Sequence, residues 1–387
     1  MGAHRGNRLK PLVVIGTLAR MGGAERQALY FVEHLAGLGK SPEVLTFGDG
    51  EALRPMLDAL RVPVHAIDYH AAWPRARRAN ALARLILRLR SRVKPDAILP
   101  FGAPASKVTG LIWRHAAARY AWWNQQDEGR GLAGSSAERK ILARMPSITS
   151  NSYVGRDFLA ATYGIDAERI RVYNNGTPVP EGRDDRGDWR ENLNAGNRPL
   201  VAMIANVTRF KDHNTLVAAW PKVKQHFASQ RPPVLVLAGH LQETSLVSVI
   251  KTKAFDLGLS ADDIRFLGPI NDVGGLLRAC ELVVHSSLTE GCPNAVCEAM
   301  ALGRAVVATD IPGCRQALGD SSMQLVAPQS PAELAHRIIE MLEQNDLRQQ
   351  LGERNRQRIK SEFSIDGMNA FFTDLMETGL ADAVGRR

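Results

Sequence analysis

Apolar and polar positions along this chain alternate in blocks rather than singly. Short runs rich in Val, Ile and Leu are followed, again and again, by longer segments with apolar residues at helical spacing. That alternation predicts a parallel α/β architecture. The first half gives seven strands, at 12–18, 43–47, 64–68, 97–101, 120–124, 147–150 and 170–173. A polar stretch follows, from Glu181-Gly182-Arg183-Asp184 to Gly196-Asn197-Arg198, and has the composition of a linker. Six further strands are predicted at 200–205, 234–238, 264–267, 282–285, 305–309 and 324–326, and the tail from Pro331 onward is helical and charged. The first apolar run lies behind His4, Arg5, Arg8 and Lys10 and so imitates a secretory signal. Gly22-Gly23 and an amphipathic helix follow it directly, which makes it a first strand.

A chain of 387 residues is long for one core and sufficient for two domains of about 150–200 residues each. The expected division is an N-terminal domain at 1–180, a linker at 181–198, a C-terminal domain at 199–364 and a last helix at 365–387. No stretch reaches the ~18–20 apolar residues of a membrane span. The four cysteines, Cys280, Cys292, Cys297 and Cys314, fall in one segment of strand–helix units with no zinc-like spacing. They read as buried reduced thiols, with no metal and no disulfide, and place the protein in the cytoplasm.

Net charge is +9, from 49 basic and 40 acidic residues, so anionic partners are expected. The excess is local. From Arg75 to Lys94 there are eight basic residues and no acidic one, while Leu82, Leu85, Ile86, Leu89 and Val93 fall at helical spacing. This segment is either a core-packed helix with a solvated basic face or a surface for anionic lipid, giving peripheral contact with a membrane. Nucleic acid is not expected, because no recognition motif is present and aromatic residues are not interleaved with the basic run.

The chemistry concentrates in Thr289-Glu290-Gly291-Cys292-Pro293-Asn294-Ala295-Val296-Cys297-Glu298-Ala299-Met300-Ala301. A buried strand, 282–286, precedes a turn, and Pro293 suits the first position of a helix because its missing N–H would go unpaired there. Glu290 then lies on the loop at the strand's end and Glu298 just over one turn into the helix. The free N–H groups at that helix start, with the dipole behind them, form a seat for phosphate. Two carboxylates around such a seat suit a ligand with a charged middle and hydroxyl-rich ends. Gly22-Gly23 before the first helix lets a ligand approach the backbone, or is a plain turn.

The block resembles the E-x7-E motif of the retaining glycosyltransferases of family 4, and continues in family style through Met300-Ala301-Leu302-Gly303 and Ala305-Val306-Val307-Ala308-Thr309-Asp310. The resemblance implies the GT-B fold, two Rossmann-like domains with parallel sheets facing a cleft, and covers nearly the whole chain. It implies that Gly22 and Gly23, in Arg20-Met21-Gly22-Gly23-Ala24-Glu25-Arg26, line a donor diphosphate, and that the last helix crosses back onto the first domain. In Ile204-Ala205-Asn206-Val207-Thr208-Arg209-Phe210-Lys211, Lys211 matches the family's diphosphate-binding lysine. Asn206 stands at the usual place of its arginine, and Arg209 follows three residues later.

By the same resemblance Glu298 accepts hydrogen bonds from ribose hydroxyls and Glu290 holds hydroxyls of the transferred sugar, with Gly291, Cys292, Pro293 and Asn294 around the diphosphate. There is no Asp-x-Asp to hold a divalent ion, so no metal or other cofactor is expected. The donor expected is a UDP- or GDP-sugar and the acceptor a glycan or lipid-linked glycan intermediate, with retention of anomeric configuration. Where many relatives carry a histidine on a first-domain loop, this chain has Trp122-Trp123-Asn124-Gln125-Gln126-Asp127. Gln126 can hydrogen-bond a sugar but cannot act as a base, whereas Asp127 can. The alternatives are a nucleotide-sugar epimerase or phosphorylase of the same fold, or a non-catalytic basic scaffold binding membrane or nucleic acid.

Overall fold

The computed structural model describes residues 9–19, 22–48, 50–70, 72–180, 187–241, 243–320 and 323–385. Two compact units emerge. One is 1–176 together with 365–387, and the other is 177–364. In the first, seven parallel strands are β1 (Pro11–Ile15), β2 (Glu43–Phe47), β3 (Val64–Ile67), β4 (Ala97–Pro100), β5 (Tyr120–Gln125), β6 (Ser147–Ser150) and β7 (Ile170–Val172), in spatial order β3-β2-β1-β4-β5-β6-β7. In the second they are β8 (Leu200–Ile204), β9 (Val234–Ala238), β10 (Ile264–Gly268), β11 (Leu282–His285), β12 (Val306–Thr309) and β13 (Leu325–Val326), in order β10-β9-β8-β11-β12-β13. All thirteen predicted strands are present, most of them trimmed or extended by one residue. Both sheets carry helices on both faces, which is why their strands read as unbroken apolar runs. In β1, Val13 and Ile15 enter one core and Leu12 and Val14 the other. Trp122 and Trp123 of β5 divide in the same way.

The order reverses direction at β1/β4 in the first sheet and at β8/β11 in the second. At the second switch point β8 and β11 pair through only Leu282↔Val201 and Val283↔Ala202, whereas β8 and β9 pair over five residues. The two strands part beyond Ala202, and the loops that leave them open a crevice at their carboxyl ends, where open α/β sheets place ligands.

The division between the units falls at Gly176/Thr177, ahead of the expected linker at 181–198. Residues 181–186 lie outside the described residues. The second half of that stretch is folded structure and not a spacer. Gly187–Asn192 is helical, Trp189 Nε1 donates to Asp272 Oδ2 at 2.8 Å, and Arg190 pairs with Glu281 at 2.5 Å. Leu193 and Ala195 enter the core beside Leu200 and Leu276. Polar composition concealed two buried anchors.

The basic segment forms a helix, Arg75–Arg88, that widens into a π-turn, Leu89–Val93, and ends at Lys94 with φ +50°. Leu85, Leu89 and Val93 are buried, and Leu82 and Ile86 pack against the same core. Its apolar stripe is therefore spent on the domain interior, and the outer face carries the arginines with small residues and the exposed Leu87 between them. All four cysteines are buried with free thiols. Among the described residues no helix is long and apolar enough to cross a membrane.

The last helix, Ile365–Gly385, belongs to the first unit. Phe372 is fully buried, stacks on Trp122 at 5.2 Å between ring centroids, and meets Tyr173 at 4.7 Å and Phe31 at 5.2 Å. Because this residue joins the tail to the domain's aromatic core, Phe372→Ala is expected to cost about 3–5 kcal/mol. The check is the urea midpoint followed by circular dichroism; an unchanged midpoint would mean that the tail adds nothing to the first domain.

Candidate active site

The second switch point brings the loop after β8 against the loop after β11. Leu288 N donates to Phe210 O at 2.8 Å, and Ser286 Oγ donates to Asp212 O at 3.0 Å. Asp212 sits at φ +41° and caps helix His213–His226, accepting from Thr215 N at 3.2 Å and Thr215 Oγ1 at 2.6 Å. These bonds fix the backbone on either side of Lys211 and set its ammonium on the Glu290 carboxylate, with which it forms an ion pair.

Glu290 is buried, and three donors converge on its Oε1: Lys211 Nζ, His285 Nε2 at 2.7 Å and Ser287 Oγ at 2.7 Å. Burial alone would push this carboxyl's pKa up; the Lys211 ammonium and the His285 hydrogen bond outweigh it and hold the group well below the ordinary carboxylate range. Burial pushes His285 down in spite of Glu290, so its imidazole is neutral near pH 7 and donates from Nε2 in the tautomer this carboxylate selects. His213, buried at the first position of its helix, is pushed down to about 4 chiefly by burial, with the Lys211 ammonium adding to it, so it carries no positive charge at neutral pH. The cluster is one carboxylate and one ammonium, oriented by two neutral groups.

Arg209 is exposed, its guanidinium 4.9 Å from the Phe210 ring; Glu243 Oε1 accepts from its main-chain N at 3.3 Å, and among the described residues no ion pair holds the guanidinium. It lies two residues from Lys211 as a second, uncommitted cation. Asn206 faces elsewhere, its Oδ1 accepting from His240 N at 3.0 Å, which ties the loop after β8 to the loop after β9. That bond gives the residue a structural task at the position where the resemblance expects an arginine.

On the other side of Glu290, Gly291, Cys292 and Pro293 are buried and Asn294 is half-buried. Pro293 is the N-cap, one position earlier than predicted, and the helix runs Asn294–Ala301 with Glu298 half-buried on it. The carbonyls of Glu290 and Gly291 lie so close to Gly313 that any Cβ there would overlap them. Sequence reasoning did not select His285, Ser287 or Gly313. A polar His-Ser-Ser ending an otherwise apolar strand was the available signal for the first two.

In the first unit, Gly22 is the N-cap of helix Gly23–Gly37, with φ −100° and ψ 178°; Arg20 and Met21 lie outside the described residues. The Glu25 carboxylate folds back against Gly22, over the space a Cβ would need, so this helix start already faces an anion of its own chain. Gln126 donates from Nε2 to Tyr173 Oη at 3.1 Å, and Tyr173 Oη donates to Asn124 Oδ1 at 2.8 Å. Gln126 Oε1 is buried with no hydrogen-bond partner among the described residues. Asp127 Oδ1 accepts from Gln125 Nε2 at 2.5 Å and Gly129 N at 2.9 Å, and burial raises its pKa to about 6 against these bonds.

Two measurements follow from this geometry. Removing Lys211 leaves a buried carboxylate uncompensated, so Lys211→Met is expected to cost about 3–5 kcal/mol at pH 7. Much of that loss should return in Lys211→Met/Glu290→Gln, read as a double-mutant cycle in urea; additive effects would mean the pair is not coupled. Asp127 keeps a proton in the folded state up to about pH 6 that the unfolded chain releases near pH 4. Its contribution therefore falls as pH rises from 4 to 6, and Asp127→Asn should flatten that slope in urea midpoints taken across the window.

The glycosyl transferases group 1 family model matches residues 185–358, and the glycosyltransferase family 4 model matches 21–179. A Campylobacter jejuni N,N'-diacetylbacillosaminyl-diphospho-undecaprenol alpha-1,3-N-acetylgalactosaminyltransferase is 31% identical over 166 residues, 41% of this chain and 39% of that protein. The Mycolicibacterium smegmatis alpha-maltose-1-phosphate synthase is 25% identical over 275 residues, 66% of this chain and 70% of its own length. The chain thus spans about two fifths of the first relative and seven tenths of the second. Among solved structures, Anabaena Alr3699/HepE with UDP and glucose has a TM-score of 0.83 at 20% identity, covering 95% of this chain and 99% of that one. A glycosyltransferase from Rickettsia africae gives 0.81 at 20% identity, covering 97% and 99%. Two parallel sheets in this order, and both family models over most of the chain, make this protein a family 4 glycosyltransferase of GT-B fold.

Proposed function

We propose that this enzyme transfers a sugar, with retention and without a metal, from a UDP- or GDP-sugar to a hydroxyl of a glycan or lipid-linked glycan intermediate. The observation that carries the reading is the Lys211–Glu290 pair at the second switch point, with uncommitted Arg209 beside it. An ammonium has three N–H donors. One N–H of Lys211 is given to Glu290, and two remain for a diphosphate. Arg209 supplies a planar fork for the same group. The N–H groups at the start of Asn294–Ala301 add the partial positive charge of a helix terminus. Glu290, kept ionised, has Oε2 to accept sugar hydroxyls, and Glu298 accepts from the ribose.

In the reaction the bond between the anomeric carbon and the diphosphate oxygen breaks, and its electron pair stays on the diphosphate. The acceptor oxygen attacks from the same face, and its proton passes to the departing phosphate oxygen. Lys211 and Arg209 meet the charge that develops there. A donor preorganised for a developing charge contributes roughly 3–4 kcal/mol, so Lys211→Ala is expected to lower kcat by about 10²–10³-fold. That UDP sits in the Anabaena structure supports a uridine donor. The diphospho-undecaprenol acceptor in the Campylobacter relative's name supports a lipid-linked one, beside which the arginines of Arg75–Arg88 would face anionic headgroups.

The test combines thermal shift and product analysis. UDP or GDP should raise the melting temperature equally with and without EDTA, since a ligand at a hundred times its Kd adds about 2.7 kcal/mol. With donor and an accepted glycan, proton NMR should show the donor's anomeric configuration in the product. An EDTA-sensitive shift would overturn metal independence, inverted product would overturn retention, and turnover of donor alone into its epimer would overturn transfer.

A further inference from the structure

A second basic concavity lies on the first domain, away from the carboxyl ends of its strands. It is a cavity of about 500 Å³ ringed by Arg114, Arg119, Arg144 and Arg169. Its floor is Tyr120 and Ser147, the first residues of β5 and β6, with Tyr120 Oη donating to Ser147 Oγ at 2.7 Å. Gln125 and Gln126 are at the far end of β5, about 17 Å along a strand of ~3.3 Å rise per residue. Among the described residues, none of 177–364 lines the cavity.

The four arginines are held where they are by the fold rather than by neutralising partners. Among the described residues only Arg119 has a carboxylate partner, Asp96 at 2.8 Å, which itself accepts from Lys10 N at 2.9 Å. Arg114 lies over the Trp113 ring at 5.0 Å. Arg144 is the C-cap of helix Ser136–Ala143, and Arg169 closes the 3-10 turn Ala167–Arg169. Among the described residues, neither Arg144 nor Arg169 has an acidic partner. Asp382, on the wall from the last helix, bridges to none of the four. The wall thus keeps a net positive charge in a concavity, where like charges repel and an anion is drawn in.

The remaining wall narrows the choice of anion. Trp113, Met145, Pro146 and Ala383 are apolar, and Gly379 lies so close to the Tyr120 ring that a Cβ would overlap it, which seals that side with the last helix. Guanidinium forks match phosphate oxygens two at a time, and the paired hydroxyls of Tyr120 and Ser147 offer further hydrogen bonds. We infer that this cavity binds the phosphate or diphosphate group of a ligand whose remainder is apolar or cyclic, at a site distinct from the one that holds the sugar donor. A soluble phosphate ester and a phospholipid headgroup share that chemistry.

The test uses the full chain and inorganic pyrophosphate in isothermal titration, with Lys211→Ala to weaken donor-site binding. Pyrophosphate should still bind the Lys211→Ala protein, and adding Arg144→Ala/Arg169→Ala should weaken that binding at least tenfold. Both arginines are exposed, so the variants should keep the parent's circular dichroism and melting temperature. Arg144→Lys/Arg169→Lys, which keeps charge but loses the fork, should fall between. Sedimentation with phosphatidylcholine vesicles, with and without phosphatidic acid, then separates the sources. Acid-dependent binding lost in Arg144→Ala/Arg169→Ala assigns a lipid headgroup; vesicle binding unaffected by the variant, with pyrophosphate binding lost, assigns a soluble ester. If the arginine substitutions change neither measurement, or pyrophosphate binding disappears wholly with Lys211→Ala and vesicles are unaffected by the arginine variant, the inference is overturned.

Discussion

Glu290 is a carboxylate sunk at the end of an apolar strand, and the architecture of the second domain's switch point follows from keeping it charged. An isolated ion at that depth would take up a proton. Here the ammonium of Lys211 faces it, and two neutral donors, His285 and Ser287, complete the shell of one of its oxygens. Each partner comes from a different local cause. Lys211 comes from a loop fixed by the Asp212 cap, His285 from the last position of β11, and Ser287 from the turn that follows. Thr309, on β12, holds Ser287 in turn by donating from Oγ1 to its carbonyl. Three strands therefore support one oxygen atom.

That dependence explains why the surrounding backbone is so crowded. The turn carrying Glu290 passes over Gly313 with no space for a side chain, and Gly239, at φ +152°, lies against the carbonyl of Ala205 in the same way. Both glycines let strand-end loops touch each other, which short parallel strands require if residues from β8, β9, β11 and β12 are to reach a common point. The first domain solves a related problem with amides instead of ions. Gln27 clamps Gly176 through both its amide groups, and Tyr173 links Asn124 to Gln126. The second domain's switch point is built on a charge pair; this part of the first domain is neutral and polar.

The strands were legible because burial on both faces writes itself as continuous apolar runs, independent of what each strand neighbours. The pair Glu290 and Glu298 was legible because a strand, a turn and a helix start are all local. His285 and Ser287 were hidden because their role depends on a carboxylate reached through a turn, and no periodicity marks it. Gly313 was hidden because its constraint comes from a loop more than twenty residues away. The folded structure inside the expected linker at 181–198 was hidden for a related reason. Polar composition marks solvent exposure, yet Trp189 and Leu193 anchor the middle of the polar stretch to the second domain.

The charge count at the switch point bears on how an anion could be held there. Lys211 and Glu290 cancel, and His285 and His213 are neutral at pH 7. The immediate cluster is close to neutral, so net charge cannot be what would fix a diphosphate. Orientation can. Lys211 is largely buried and aimed by Glu290, and the helix start at Asn294 brings the positive end of its dipole. A site built in this way favours charge that develops at one atom over charge that is spread across a bound ligand, which is the distinction between transition-state and ground-state binding. Arg209, exposed and lying over Phe210, stands outside the buried pair and takes no part in its hydrogen bonds.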